Sequence, residues 1–232
     1  NEGRSTSTTI LSLQILLGLE EHRKPEKEQK LMSFTDNRQD ASLQAGHFND
    51  FMVVVYLRAA IAKVVAEHPS GLDISGLIIK VIEYLNLSEN DFAVQPGTDP
   101  DFPIKYNHDA LQAYISYRII QDLKRAWRYI FPNLEQTALL RIDYRDLDEF
   151  CSTYPALNRH PFFGKLNPEE RKSIILQVLH YFRNNYAVDY HLLRDTERKR
   201  TTDQMRNHLD SSKLWSLERN EEIEPPCYMI VE

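Results

Sequence analysis

The sequence has little glycine, almost no cysteine and no long apolar run. Only 7 of its 232 residues are glycine, too few for the turns of a dense β fold, so the composition favours helix. The two cysteines, Cys151 and Cys227, have no CxxC or Cys/His partner set, which argues against a zinc knuckle or a disulfide scaffold and fits a reducing compartment. No apolar run approaches the ~18 residues of a membrane span, and no basic-then-apolar leader is visible. We therefore expect a cytoplasmic protein without a membrane partner.

Positive charge is also scarce, since the formal net charge is -6. Such a chain has no overall field that attracts nucleic acid, so any contact with DNA must come from a local basic patch. A length of 232 residues with 42% hydrophobic side chains is sufficient for a buried core. Because the chain begins with Asn1 and not with Met, we expect it to be a piece of a longer protein.

The most informative stretch lies at residues 30–51. Residues 31–35 form a short apolar and β-prone run that predicts a strand. Asp36 is placed as the N-cap of a following helix, and Gln39 completes the spacing of a capping box. The apolar residues that follow recur at steps of three and four and predict a long helix ending near residues 68–71: Ala41, Ala45, Phe48, Met52, Val55, Ala59 and Ala62.

Polar side chains surround the start of that helix. They would lie where free backbone N–H groups and the positive end of the helix dipole favour an anion such as phosphate. The candidate binding residues are Thr35, Asn37, Arg38 and Gln39. Asp36 and Asp40 oppose a phosphate at the same place, and an ordinary capped junction has the same pattern. Both interpretations stay open on these grounds.

The letters of this stretch carry a family resemblance. The run SFTDNRQDA at 33–41, continued by QAGHFNDF at 44–51, resembles the first conserved block of the second motor lobe in large bacterial DEAD/DEAH-box DNA helicases of superfamily 2. A weaker similarity runs through DLKRAWR at 122–128, PNLEQ at 132–136 and LLRIDY at 139–144. In that family the first block is the strand and helix of motif IV, in a RecA-like lobe that closes over ATP and holds the nucleic-acid backbone. The resemblance implies that the residues around Arg38 contact DNA.

The motifs for ATP hydrolysis are not visible. The nearest candidate for a phosphate loop, residues 71–76, is followed by Leu77 and Ile78, which can neither neutralise phosphate nor hold Mg2+. Asp148 and Glu149 superficially resemble the acids of a DExH box, but they lie in an amphipathic helical pattern. The arginine-finger block is not visible either. The resemblance therefore implies that ATP and Mg2+ belong to the parent protein, with the other helicase lobes as partners, and we expect no cofactor, metal or catalytic site in this chain alone.

A second basic patch interleaves cations with aromatic rings, as in proteins that grip single-stranded DNA by charge and stacking. Its residues are Lys124, Arg125, Trp127 and Arg128, followed by Tyr129. Trp127 is equally consistent with a core position. A third cationic run near Arg194 and Arg198 is diluted by acids and fits a solvated helix face.

The remaining elements follow from caps and periodicity. We expect a helix over the leucine-rich residues near 7–19, a helix capped by Asp73 that ends near Leu85, a loop over 87–103 and a long helix over 107–131. A strand over 138–143 after a helical turn favours the hypothesis of a winged-helix element. Asn167 and Pro168 begin a further helix with a core-facing stripe, and residues 194–219 are expected to be partly helical. The last apolar run, 227–231, predicts a strand that pairs with 31–35. The core-facing stripe of the helix that starts at Pro168 is predicted to contain Ile174, Ile175, Val178, Leu179, Phe182 and Tyr186.

Together these patterns predict a mainly α-helical fragment with a few short strands. Residues 1–70 would form the start of the second motor lobe, 71–220 a helical, winged-helix-like insertion, and 221–232 a return strand. The expected function is DNA backbone contact and lobe coupling in an ATP-dependent helicase or translocase. The alternatives are a helical protein-interaction module, which the acidic balance supports, and a free-standing winged-helix regulator, which requires a symmetric dimer and a basic recognition helix.

Overall fold

The described residues of the protein are almost entirely helical. The structure is a computed structural model that describes residues 2–28, 30–31, 38–99, 105–124, 134–218 and 220–227, with the backbone alone for 2–9, 20, 26 and 38–50. The α-helices in these ranges are α1 (Glu2–Glu21), α2 (Arg38–Glu67), α3 (Ile74–Leu85), α4 (Glu89–Phe92), α5 (Tyr106–Asp122), α6 (Leu147–Thr153), α7 (Pro155–Arg159), α8 (Pro168–Asn184) and α9 (Asp195–His208). Short 3-10 turns lie at Glu26–Glu28, Phe163–Lys165 and His191–Leu193. The mainly α prediction is confirmed.

The chain divides into two compact units, Asn1–Ile61 and Ala62–Glu232. The first unit contains α1 and most of α2. On α1 several apolar side chains remain exposed, whereas residues on α2 such as Val53, Val54 and Leu57 are buried. No helix among the described residues combines the length and apolarity of a membrane span. The domains predicted over 1–70, 71–220 and 221–232 are defined by expected function, whereas these two units are defined by compactness. The predicted domains therefore stay predictions.

The core of the second unit forms around α5, which packs against α9, α3 and α4. Twelve of the 17 residues of α5 are buried, polar residues included. An antiparallel bridge between Ala93 and Leu209 links the end of α4 to the end of α9. In the rest of this unit, α6 packs against α8, and α7 packs against the turn Phe163–Lys165. The core therefore joins segments that are about a hundred residues apart in the chain, such as α5 and the segment at 221–224.

Side-chain caps set several helix starts. The Asp73 carboxylate accepts a hydrogen bond from the Gly76 N–H at 2.7 Å and fixes the start of α3 as predicted. Asn167 and Glu170 form a reciprocal capping box at the start of α8, with Pro168 in the first turn. The start of α4 was not expected within the loop 87–103, although the Asp91 carboxylate accepts from both the N–H and the hydroxyl of Ser88. Four residues are too short a helix for an apolar period to reveal it.

The strand predicted over 138–143 is wrong. Residues 134–138 form a turn, and residues 140–144 have no regular structure. Ala138 adopts a left-handed backbone with φ of 58°, and Leu139 N–H donates to the Leu134 carbonyl. This hydrogen bond closes the turn, and the residues described after it, 140–144, belong to no strand. The winged-helix hypothesis is therefore no longer supported by a strand over 138–143.

Other strands and helix ends fall where less of the chain is described. The strand at 31–35 and the return strand at 227–231 lie outside the described residues apart from Leu31 and Cys227, which belong to no strand. The helix predicted over 107–131 is confirmed as α5 up to Asp122 and is wrong at Leu123 and Lys124, where the helix has ended; residues 125–133 lie outside the described ranges.

The buried face of α8 differs from the predicted one. Val178 and Phe182 were expected in the core, but they are 43% and 37% exposed. Arg171 and Arg183 are buried instead. The apolar stripe predicted for α8 is therefore wrong at these positions, because α8 contributes guanidinium groups to the interior of its unit.

Candidate nucleic-acid interface and the adjoining polar core

The best candidate for a nucleic-acid interface is the start of α2. Arg38 is the first described residue of this helix, followed by Gln39, and residues 32–37 before it lie outside the described ranges. The first backbone N–H groups of a helix have no partner within the helix and favour an anion. Thr35 and Asn37 lie outside the described residues, and so does the predicted cap Asp36. Their roles stay predictions.

Lys124, in the second predicted patch, belongs to an ion pair. Its Nζ lies 2.5 Å from Glu224 Oε1 and 5.4 Å from the centre of the Tyr186 ring. The Lys124 charge is thus already neutralised by a carboxylate and held over an aromatic face. Arg125, Trp127 and Arg128 lie outside the described residues, and the nucleic-acid role of this patch stays a prediction.

Arg118, next to this ion pair, is the centre of a buried polar network. Its guanidinium binds both carboxylate oxygens of Glu221, at 2.5 and 2.8 Å, and donates to Gln121 Oε1 at 2.9 Å. It also lies over the rings of Tyr114 and Tyr117, 4.9 and 5.5 Å from their centres. Burial acts to lower the pKa of Arg118. The electrostatic interaction with Tyr114 and the hydrogen bonds to Glu221 outweigh burial, so the pKa of Arg118 lies above its ordinary value. The arginine is therefore held charged inside the protein.

The hydroxyl of Tyr117 connects α5 to the segment at 221–224. It accepts hydrogen bonds from Gln121 Nε2 at 2.6 Å and from the Glu224 N–H at 3.0 Å. It also donates a hydrogen bond to the Glu222 carbonyl oxygen at 3.3 Å. Burial is the main reason that the pKa of Tyr117 rises to about 12. The nearby charges of Glu221 and Glu224 also raise this pKa, whereas the hydrogen bond from the Glu224 N–H and the charge of Arg118 lower it. The hydroxyl stays protonated at neutral pH and acts as a structural hydrogen-bonding group.

Two more arginines of this unit are buried and engaged. Arg171 donates to the carbonyl oxygens of Phe163 and Cys151 and to Asn158 Oδ1 at 2.8, 3.2 and 2.7 Å. Arg183 pairs with Glu135 through Nη2. Neither guanidinium is placed to grip a phosphate backbone, because both are at most 6% exposed.

The cationic run on α9 is paired with acids. Its ion pairs join Arg194 to Asp189, Arg198 to Asp195, and Arg200 to Glu197. Exposed pairs of this kind contribute little to stability. They agree with the solvated helix face expected there.

One group of described side chains could hold a metal ion. Glu89, Asp99 and His108 each bring a ligand atom within 4.8 Å of the other two. No sequence motif indicates the group, because its members are about ten residues apart and lie on α4, a loop and α5. Only the turn chemistry around Gly97 could have suggested that the loop folds back onto α5.

Comparisons with models of protein families, with curated proteins and with solved structures gave no match.

Proposed function

We propose that this chain is part of the second motor lobe of an ATP-dependent DNA helicase or translocase, in which it contacts the DNA backbone and couples that contact to lobe movement. ATP and Mg2+ would be bound by the parent protein. The observation that supports the proposal most is the block at 33–51, of which the described part, from Arg38 onward, belongs to the helix α2.

The physical case rests on the predicted place of Arg38 in the sequence, close to the start of α2. A cation in the first turn is unfavourable for the helix dipole itself, so an ordinary cap would place an acid there. An arginine at this position is useful when an anion also binds, because the guanidinium and the free N–H groups then share the same phosphate. Asp36 and Asp40 moderate the attraction. A moderate contact suits a motor that must release the backbone at each step.

Binding to DNA tests the proposal directly. The full chain is titrated against fluorescently labelled single-stranded and forked DNA at low salt, and anisotropy is recorded as salt is raised. We expect salt-sensitive binding that is weakened about tenfold in the Arg38→Ala, Arg125→Ala pair, with a shallower dependence on salt.

Arg141→Ala is the control for the loss of one exposed positive charge outside both patches, because the Arg141 side chain is 85% exposed; the pair variant removes two such charges. Equal affinity of the pair variant and the control, or no affinity of the native chain at low salt, would contradict the proposal.

A second candidate, a protein-interaction module, is favoured by exposed aromatic rings in the second unit. Phe150 and Tyr154 stack with ring centres 4.6 Å apart and remain 38% and 47% exposed. Tyr181 is 57% exposed on α8. Aromatic side chains of this kind are enriched at protein interfaces. Absence of DNA binding at low salt would favour this candidate over the motor.

A further inference from the structure

We propose that Glu89, Asp99 and His108 form a binding site for a divalent transition metal ion, with Zn2+ as the best fit. The site lies in the second unit and does not depend on the DNA-binding proposal.

The spacing of the ligand atoms suits a small ion. His108 Nδ1 lies 2.9 Å from Asp99 Oδ2 and 3.4 Å from Glu89 Oε1. Zinc bonds to nitrogen and oxygen are about 2.1 Å long, and tetrahedral geometry then places neighbouring ligand atoms about 3.4 Å apart. Small side-chain rotations are therefore enough to bring the three atoms to bonding distance of one ion.

Backbone groups hold both carboxylates in position. Glu89 Oε2 accepts a hydrogen bond from the Gly97 N–H, at a turn where Gly97 has φ of 76°. Asp99 Oδ1 accepts from the Asn107 N–H at 2.8 Å. Glu89 thus uses one oxygen to fix its orientation and directs the other toward His108, as metal ligands with outer-shell partners do. Asp99 Oδ2 also lies toward the His108 ring, and it accepts a hydrogen bond from the His108 N–H at 3.2 Å.

The third ligand is also fixed and is open to solvent. The buried Phe92 ring packs edge-on against the His108 imidazole, with ring centres 5.6 Å apart and planes at 79°. The His108 side chain is 46% exposed, whereas that of Asp99 is only 7% exposed. An ion can therefore enter from the His108 side and bind to a carboxylate that is already desolvated.

The charges around the imidazole favour a cation. Two carboxylate oxygens face one ring nitrogen, which carries at most one proton. A divalent ion in its place can bind both oxygens and the nitrogen at once.

The donor set selects the kind of ion. One imidazole nitrogen with two carboxylate oxygens suits Zn2+ and related transition metals. Ca2+ and Mg2+ prefer oxygen ligands, and Ca2+ takes six or more of them. We therefore expect Ca2+ and Mg2+ to compete only weakly with Zn2+ for this site.

Calorimetric titration of the metal-stripped full chain with zinc chloride tests the site. We expect one saturable site in the native chain, with Zn2+ affinity lowered at least about tenfold in His108→Gln and Glu89→Gln. His22→Gln is the matched control because His22 is an exposed histidine elsewhere in the chain. Excess magnesium or calcium chloride should leave the zinc isotherm nearly unchanged.

Cobalt chloride supplies a second readout, since intense visible absorption by bound Co2+ reports a tetrahedral nitrogen and oxygen environment. That absorption should be lost in His108→Gln and kept in His22→Gln. Circular dichroism checks that each variant is folded. If Glu89→Gln is unstable, the His108→Gln variant is sufficient to test the proposal, because the His108 side chain is 46% exposed and its replacement should preserve the fold. The proposal is overturned if the native chain shows no saturable zinc binding, or if His108→Gln and His22→Gln bind zinc equally.

Discussion

Arg118 shows how a single charged side chain can be tolerated inside this protein. Removing a guanidinium from water costs several kcal/mol, and the loss is offset only when its donors and charge are satisfied. Arg118 meets that condition through Glu221, Gln121 and two tyrosine rings. The same residue also makes the core sensitive to its carboxylate partner.

Replacing Glu221 should therefore destabilise the protein strongly. Glu221→Ala leaves the buried Arg118 charge without its carboxylate, so we expect the free energy of unfolding to fall by about 3 kcal/mol. Urea unfolding followed by circular dichroism measures the change. Glu222→Ala removes the same charge from an exposed neighbour and should cost much less; equal losses would show that Arg118 does not depend on Glu221.

Tyr117 should make the protein sensitive to alkaline pH. The unfolded tyrosine ionises near its ordinary pKa of 10.0, whereas the folded pKa is about 12. Above pH 10 the unfolded state therefore loses a proton that the folded state keeps, so the free energy of unfolding decreases as pH rises from about 10 to 12. Tyr117→Phe should flatten this decrease in urea unfolding measured across that range.

Tyr84→Phe is the control for the alkaline profile, because the Tyr84 ring is 49% exposed. If Tyr84→Phe flattens the profile as much as Tyr117→Phe, the buried hydroxyl is not responsible.

At the scale of single elements, α8 depends on its cap. Asn167→Ala removes the acceptor for the Glu170 N–H and should lower the free energy of unfolding by about 1 kcal/mol. Thermal or urea unfolding measures the loss. Ser173→Ala changes an exposed position in the same helix and should be neutral or slightly stabilising, since alanine has the higher helix propensity. If Asn167→Ala and Ser173→Ala both lower the free energy of unfolding, the loss comes from the helix in general and not from its N-cap.

The helices whose ends carry local signals are those that the sequence predicts best. Asp73 and Asn167 act within three residues of their own position, so the starts of α3 and α8 can be read directly. Burial on α8 depends instead on which elements pack against it. The periodicity of Val178 and Phe182 contains no information about Glu135 or Asn158, which pair with the buried arginines.

At the scale of the whole molecule, the two thiols report different states of the chain. Cys151 is 1% exposed and Cys227 is exposed. Burial, helped by the charge of Asp148, raises the pKa of the Cys151 thiol and further lowers its reactivity. In Cys227→Ser, a thiol reagent should react only as fast as the second unit opens.

The measurement is absorbance of a disulfide reagent with and without urea. We expect one fast thiol in the native chain, none in folded Cys227→Ser, and release of the second thiol with the same urea midpoint as circular dichroism. Fast labelling of Cys151 in the folded variant would contradict its burial on α6.

For the candidate interface, the sequence predicts the local part and misses the distant part. The helix α2 from Arg38 onward follows from the apolar spacing of its own residues. The partner of Lys124 is Glu224, a hundred residues further along the chain, and no local pattern specifies such a pair. Glu89, Asp99 and His108 are only about ten residues apart, but no local pattern indicates this group either. Their proximity depends on how a loop returns to α5.

The pairing of Arg118 with Glu221 has a consequence for synthesis on the ribosome. The two residues are 103 positions apart, and translation at roughly 5–20 residues per second takes about 5–20 s to cover that distance. During this interval α5 has already been synthesised, whereas the Glu221 carboxylate that pairs with Arg118 has not yet been made. The interior of the second unit can therefore close only after translation of residues 221–224, and until then a chaperone would find its apolar surface open.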